Sequence, residues 1–165
     1  MVIVEGVVIG GNRLGRKLGF PTANIAIDDD LAVENGVYSS KVVVEGEEYV
    51  AMTNVGVRPS VDGSRRLLET HLFGFEGLLY GLKLRVELYD KIRDEKRFGS
   101  VDELREQIAK DASETMRLKA SDVIRFYPIY RKNSSLIISA FQAISKEGMK
   151  GVMRVVPNLI KNFKK

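Results

Sequence analysis

The chain reads as a mainly β protein, a closed or partly closed barrel of short strands followed by helices, and three observations predict that class. Apolar, β-branched runs alternate with glycine-bearing turns through the first hundred residues, with no long helical pattern between them. That order favours a barrel over an α/β sheet. Leu84, Val86 and Leu88 alternate with Lys83, Arg85 and Glu87, a period of two that gives one buried face and one wet face. After residue 100, Leu104, Ile108, Ala112 and Met116 recur every fourth position, which is the stripe of a helix.

Taken in order, VIVEGVVIG is the first strand candidate, and an extended Pro21-Thr22-Ala23-Asn24 segment follows a glycine-rich loop. GVYSSKVVVEGEEYVAMTNVGV divides into two strands around a turn at Glu45-Gly46-Glu47, which is not one of the strongest hairpin signals. RRLLETHLF and GLKLRVELYD supply two more strands. Ser100 stands three residues before Glu103, the capping-box spacing that starts a helix. Beyond residue 120, Leu136, Ile137, Ala140, Phe141 and Ile144 carry helical spacing toward Gly148, and Val152 to Phe163 repeat it around Pro157.

Composition narrows the chemistry. With 165 residues, the chain has room for one compact domain and an appendage. It has no cysteine and one histidine, so disulfides, thiolate nucleophiles and histidine metal clusters are excluded. No apolar run approaches the roughly 20 residues of a membrane span, and no signal peptide is evident, so a cytoplasmic location is expected. Residues 1–119 hold 17 Lys+Arg against 20 Asp+Glu, whereas residues 120–165 hold 9 against 2. The basic character belongs to the tail, and the main domain lacks the clustered cations of a nucleic-acid binder.

The segment GGNRLGRKLGFPTANIAI, residues 10–27, combines four glycines with three basic residues. It is not a Walker A loop, because Arg16-Lys17-Leu18 follow Gly15, and the glycine spacing is wrong for a dinucleotide fingerprint. Glycine amides can still approach phosphate oxygens, Arg16 or Lys17 can neutralise them, and Thr22 and Asn24 offer the hard oxygens magnesium prefers. Two residues apart in an extended segment, Thr22 and Asn24 project to one face. A surface loop before an ordinary strand fits the same residues.

Two further constellations stand out. NVGVRPSVDGSRRLLETHLFGF runs through a polar, basic loop, Ser60 to Arg66, into a strand with Glu69 and His71 on one face and Leu68, Thr70 and Leu72 on the other. Glu69 is placed to act as a general base beside a phosphate site, or simply to face water. LYGLKLRVELYDKIRDEKRF ends with Arg93 and Phe98, a ring able to cover a planar ligand or to close a salt-bridged turn.

GGNRLGRKLGFPTANI, NVGVRPSV, ETHLFGFEGLLYG and IRDEKRFGSVDELREQIAKD, in this order, resemble the motifs of ATP-dependent riboflavin kinases. The resemblance covers residues 1–119, the kinase domain, and leaves residues 120–165 as a basic amphipathic helical extension. It implies a six-stranded antiparallel Greek-key barrel with a packed C-terminal helix. The implied reaction transfers the γ-phosphate of Mg-ATP to the 5′-hydroxyl of riboflavin, giving FMN and ADP. By the same resemblance, Gly10, Arg16 and Gly19 belong to a phosphate-covering loop, with Thr22 and Asn24 as magnesium and phosphate ligands. Glu69 is the implied catalytic base, Arg93 and Phe98 lie on the flavin side, and Ser60 to Arg66 form a flap. This chain has Leu78-Leu79-Tyr80 where the family often places an acidic residue. Without a preceding adenylyltransferase domain, the product is expected to stop at FMN. The extension is left to packing, self-association or an anionic membrane surface. The competing class is a non-catalytic flavin- or nucleotide-binding or regulatory protein that keeps the barrel, distinguished by riboflavin binding without turnover.

Overall fold

In a computed structural model, which describes residues 1–60, 63–126 and 138–139, six antiparallel strands close into a barrel. They are β1 (Val2–Ile9), β2 (Ala23–Ala26), β3 (Gly36–Val44), β4 (Glu47–Ser60), β5 (Gly63–Leu72) and β6 (Lys83–Arg93). Their order around the barrel is β1-β2-β5-β4-β3-β6, so the β2–β5 and β3–β6 pairings join strands that are not neighbours in sequence. Among the described residues, α1 (Leu14–Lys17) lies between β1 and β2 and α2 (Val101–Phe126) follows β6.

Alternation decides what faces inward. Ile25, Val42, Val55, Leu68, Leu84, Val86 and Leu88 come from five strands and are almost fully buried in one core. Burying one such side chain is worth about 1.5–3 kcal/mol. Polar groups enter this interior only as a bonded set: Thr53 Oγ1 lies 2.8 Å from Ser40 Oγ and 3.0 Å from Thr70 Oγ1. Each hydroxyl in that row satisfies its neighbour, which removes the cost of burying it.

The β3–β4 hairpin turns through Glu45 and Gly46 alone, since Val44 pairs with Glu47. Both turn residues have positive φ, 50° and 90°, as the tightest hairpins require. At the start of α2, Ser100 Oγ accepts from the Glu103 amide as its spacing predicts. The Glu103 carboxylate reaches one residue further back than a capping box requires, accepting from the Gly99 amide.

Three expectations are corrected. Glu87, assigned to a wet face, is 8% exposed and held by Tyr89, Lys41 and Arg85. The expected basic loop from Ser60 to Arg66 is largely hairpin ladder, with Arg58 paired to Arg65, Pro59 to Ser64 and Ser60 to Gly63. The segment before Pro21, read as loop, contains the single turn α1, with Leu18 closing back on Leu14.

The barrel lies in a first compact unit, Met1–Ile108, and a second unit begins at Ala109. Along α2 the expected stripe appears, with Leu104 and Ile108 half-buried and Ala112 and Met116 buried. This helix runs past the 119/120 boundary drawn from sequence. Ile138 and Ser139 are helical; the rest of the two tail helices expected from sequence lies outside the described residues. No helix among the described residues is long and apolar enough to cross a membrane.

Candidate functional site

On the outer face of the barrel, one register row crosses three strands: Asn24 of β2 pairs with Glu69 of β5, which pairs with Asn54 of β4. Their chain neighbours Ile25, Leu68, Thr70, Thr53 and Val55 face the core. Polar side chains in this row therefore share one face, and their directions are fixed by the apolar packing on the other side of the sheet.

Asn24 is unusual for an outward residue. The residue is 6% exposed, and its Oδ1 is a buried polar atom with no hydrogen-bond partner. Leaving such an oxygen unsatisfied costs about 1–3 kcal/mol, so the site favours a donor or a cation. Gly11 supplies the cover, and a Cβ there would stand 1.9 Å from Asn24 Nδ2. Gly11, Arg13, Arg16, Pro21, Thr22 and Tyr80 line a small cavity with Asn24. Arg16 and Thr22 continue into an adjoining cleft walled by Leu72, Phe75, Leu78 and Leu79.

The loop that carries these groups is tied from both sides. Arg13 enters α1 at φ 55°, Gly19 leaves it at φ 89°, and the Phe20 amide donates to Gly15 O at 2.8 Å. From β5, His71 Nδ1 lies 2.8 Å from Pro21 O. A carbonyl only accepts, so Nδ1 carries the proton. The ring meets Phe20 and Phe73 edge-on at centroid distances of 5.4 and 4.9 Å. Burial lowers the His71 pKa, keeping the ring neutral.

Glu69 is held by one oxygen. Its Oε2 accepts from Arg58 Nε at 2.9 Å and from Asn54 Nδ2 at 3.2 Å, and Arg58 Nη2 lies 2.7 Å away. The same guanidinium donates through Nη1 to Glu95 Oε1 at 3.0 Å. Burial alone would lower the Arg58 pKa, but Glu69 and Glu95 outweigh it and raise the pKa, so the guanidinium is firmly charged. At the end of β6 and just beyond it, the Arg93 guanidinium lies 5.8 Å and Lys96 Nζ 5.6 Å from the Phe98 ring centre.

Of the residues singled out from sequence, Arg16, Thr22 and Asn24 line one cavity, with Glu69 beside Asn24 in the strand register. Arg93, the last residue of β6, meets Phe98 of the following segment, and Glu95 between them in sequence is linked to Glu69 through Arg58. Gly10 has open space around its Cα, whereas Gly19 has the positive φ that favours glycine. Arg66, expected in a flap, is 8% exposed and donates to the carbonyls of Asp29, Leu31 and Val33 and to Asn35 Oδ1. It clamps the β2–β3 connection. Sequence reasoning missed Gly11, Asn54, Arg58 and Glu95. The period of two along β4 places Asn54, Gly56 and Arg58 on one face, which was the available signal.

The family model for riboflavin kinase, Flavokinase, matches residues 1–119. The chain belongs to the riboflavin kinase family. It is 47% identical over 111 residues to a bifunctional riboflavin kinase/FMN adenylyltransferase of Buchnera aphidicola subsp. Schizaphis graminum, over 66% of this chain and 36% of that protein. This riboflavin kinase family member thus spans about a third of that relative's length. A crystal structure titled as a macrolide-efflux protein from Streptococcus pneumoniae shares 36% identity at TM-score 0.62, over 68% of this chain and 38% of that one. The riboflavin kinase of Trypanosoma brucei aligns at TM-score 0.52 and 24% identity, over 81% of this chain and 85% of that one. At that identity the likeness bears on the fold, which is the barrel expected from sequence.

Proposed function

We propose that this chain is a riboflavin kinase that transfers the γ-phosphate of ATP to the 5′-hydroxyl of riboflavin, releasing FMN and ADP. The observation that carries the reading is the pairing of Asn24, with its unpartnered buried oxygen, directly opposite Glu69. It brings a cation or phosphate ligand beside a carboxylate on one rigid face.

In this reading Thr22 and Asn24 would hold Mg2+ with the ATP phosphates, and the orphaned Asn24 oxygen suits a hard cation. Bound magnesium would offset charge on the phosphate oxygens. Arg16, together with the loop of Gly10 and Gly19, covers the polyphosphate and adds positive charge where the transferred group gains negative charge. Glu69 takes the proton of the attacking hydroxyl. Its Oε2 is held by Arg58 and Asn54, and Oε1 accepts no hydrogen bond among the described residues, leaving that oxygen to face the hydroxyl. Arg93 and Phe98 cover the flavin ring. The hydroxyl oxygen forms the new P–O bond, the β–γ bridge breaks, and the proton goes to Glu69. Residues 1–119 form the kinase domain and residues 120–165 an extension, and an ATP-consuming reaction fits the cytoplasm.

Incubation with riboflavin, ATP and magnesium, followed by chromatographic separation of the flavins, tests this reading. FMN should appear only with magnesium. Glu69→Gln should lower kcat by roughly 10²–10⁴-fold, the usual share of a general base, while calorimetry shows Mg-ATP binding retained. Riboflavin that binds without becoming FMN would make the chain a flavin-binding relative.

A further inference from the structure

We propose that Arg58 is a positioning residue that holds the base and the flavin-side segment in one arrangement, through Glu69 on one edge and Glu95 on the other. The inference rests on the kinase reading of Glu69 and of the segment around Phe98. Every nitrogen of the guanidinium is engaged. Nε and Nη2 meet Glu69 Oε2 at 2.9 and 2.7 Å, and Nη1 meets Glu95 Oε1 and the Val57 carbonyl, each at 3.0 Å. Because the guanidinium is planar and its donors are fixed relative to one another, Glu95 cannot move without turning the edge that holds Glu69.

The far end of this link is anchored. Asn35 Nδ2 donates to Glu95 Oε2 at 3.3 Å, and Asn35 Oδ1 accepts from the buried Arg66. Both Glu95 oxygens are therefore directed. Space for the link comes from Gly56, on the same face of β4: a Cβ there would stand 2.0 Å from Glu95 Oε1 and 2.9 Å from Arg58 Nη1. The ligand-side consequence is specific. Glu95 lies three residues before Phe98, so a flavin seated against that ring settles the segment whose carboxylate fixes Arg58, and with it the free oxygen of Glu69.

Steady-state kinetics of Arg58→Gln, Arg58→Lys, Glu95→Gln, Gly56→Ala and the Arg58→Gln/Glu95→Gln double variant test the link, each with its melting temperature. Arg58→Gln should lower kcat about 10–100-fold through misplacement of the base, with the KM for ATP within about twofold of wild type. Arg58→Lys, a single rotatable point charge, should recover little of that loss. Glu95→Gln and Gly56→Ala should each raise the riboflavin KM about 3–10-fold, the scale of one ordinary hydrogen bond. In the Arg58→Gln background, Glu95→Gln should add less than about twofold, because the link is already cut. Losses that multiply in the double variant, full recovery by lysine, or kinetic losses that only follow melting temperature would overturn the proposal. Wild-type protein that makes no FMN would instead fail the kinase reading, and this inference with it.

Discussion

Asn24 and Gly11 act as one unit at the residue scale. The amide of Asn24 is covered by backbone and aimed by the β2–β5 register, and it fits only because Gly11 has no side chain. Gly11→Ala would force the amide to shift, so metal-dependent ATP affinity measured by titration calorimetry should fall about tenfold, the equivalent of one displaced ligand. Unchanged affinity would show that the Asn24 oxygen needs no fixed direction. Thr22 and Asn24 were legible in sequence because hard oxygens two apart in an extended segment share a face. Gly11 was not, because its neighbour in space is 13 residues away in sequence.

Strands and turns were the most legible elements, since alternation and glycine spacing are local. The β3–β4 hairpin was found at Glu45-Gly46, but the loop is tighter than expected, and it puts Glu45 in the left-handed region at φ 50°. A glutamate gains nothing there, whereas asparagine tolerates that backbone and Asn-Gly is the favoured pair. Glu45→Asn should therefore stabilise the protein by about 0.5–1 kcal/mol, a shift of roughly 1–4 °C in melting temperature for a chain of this size. A calorimetric scan with no upward shift would show that Glu45 makes a compensating interaction. Within Ser60 to Arg66, expected as loop, Ser60, Gly63, Ser64, Arg65 and Arg66 stand in ladder pairs; these five are polar or glycine on both faces, which hides the period of two. The pairing rests on backbone ladder bonds, which leave no trace in side-chain pattern. The turn α1 was missed for a similar reason: four residues are too few to show a helical period.

Over four of the barrel's six strands, an ion ladder ties together elements distant in sequence. Glu5 of β1 meets Lys83 and Arg85 of β6, Arg85 meets Glu87, and Lys41 of β3 joins Glu87 to Glu48 of β4. The Tyr89 hydroxyl, then Lys41 and Arg85, hold the Glu87 carboxyl down from its ordinary 4.5 to about 2. A carboxylate with a depressed folded pKa stabilises fully above its unfolded value and loses that contribution as pH falls toward the folded one. The melting-temperature gap between wild type and Glu87→Gln should thus be largest above pH 5 and narrow as pH drops toward 2. A gap independent of pH would remove Glu87 from acid stability.

Local sequence was enough for the strand content, the helix start at Ser100, the absence of thiol chemistry and the choice of Thr22, Asn24 and Glu69 as candidates. Each of these is written in short-range spacing or residue type. It took the folded barrel to settle which strands are neighbours, that Glu87 is enclosed, that Arg66 clamps a connection, and that Arg58 joins Glu69 to Glu95. Barrel closure brings residues from distant strands into one register row, and the resulting hydrogen bonds depend on which strand lies beside which. No local pattern records that.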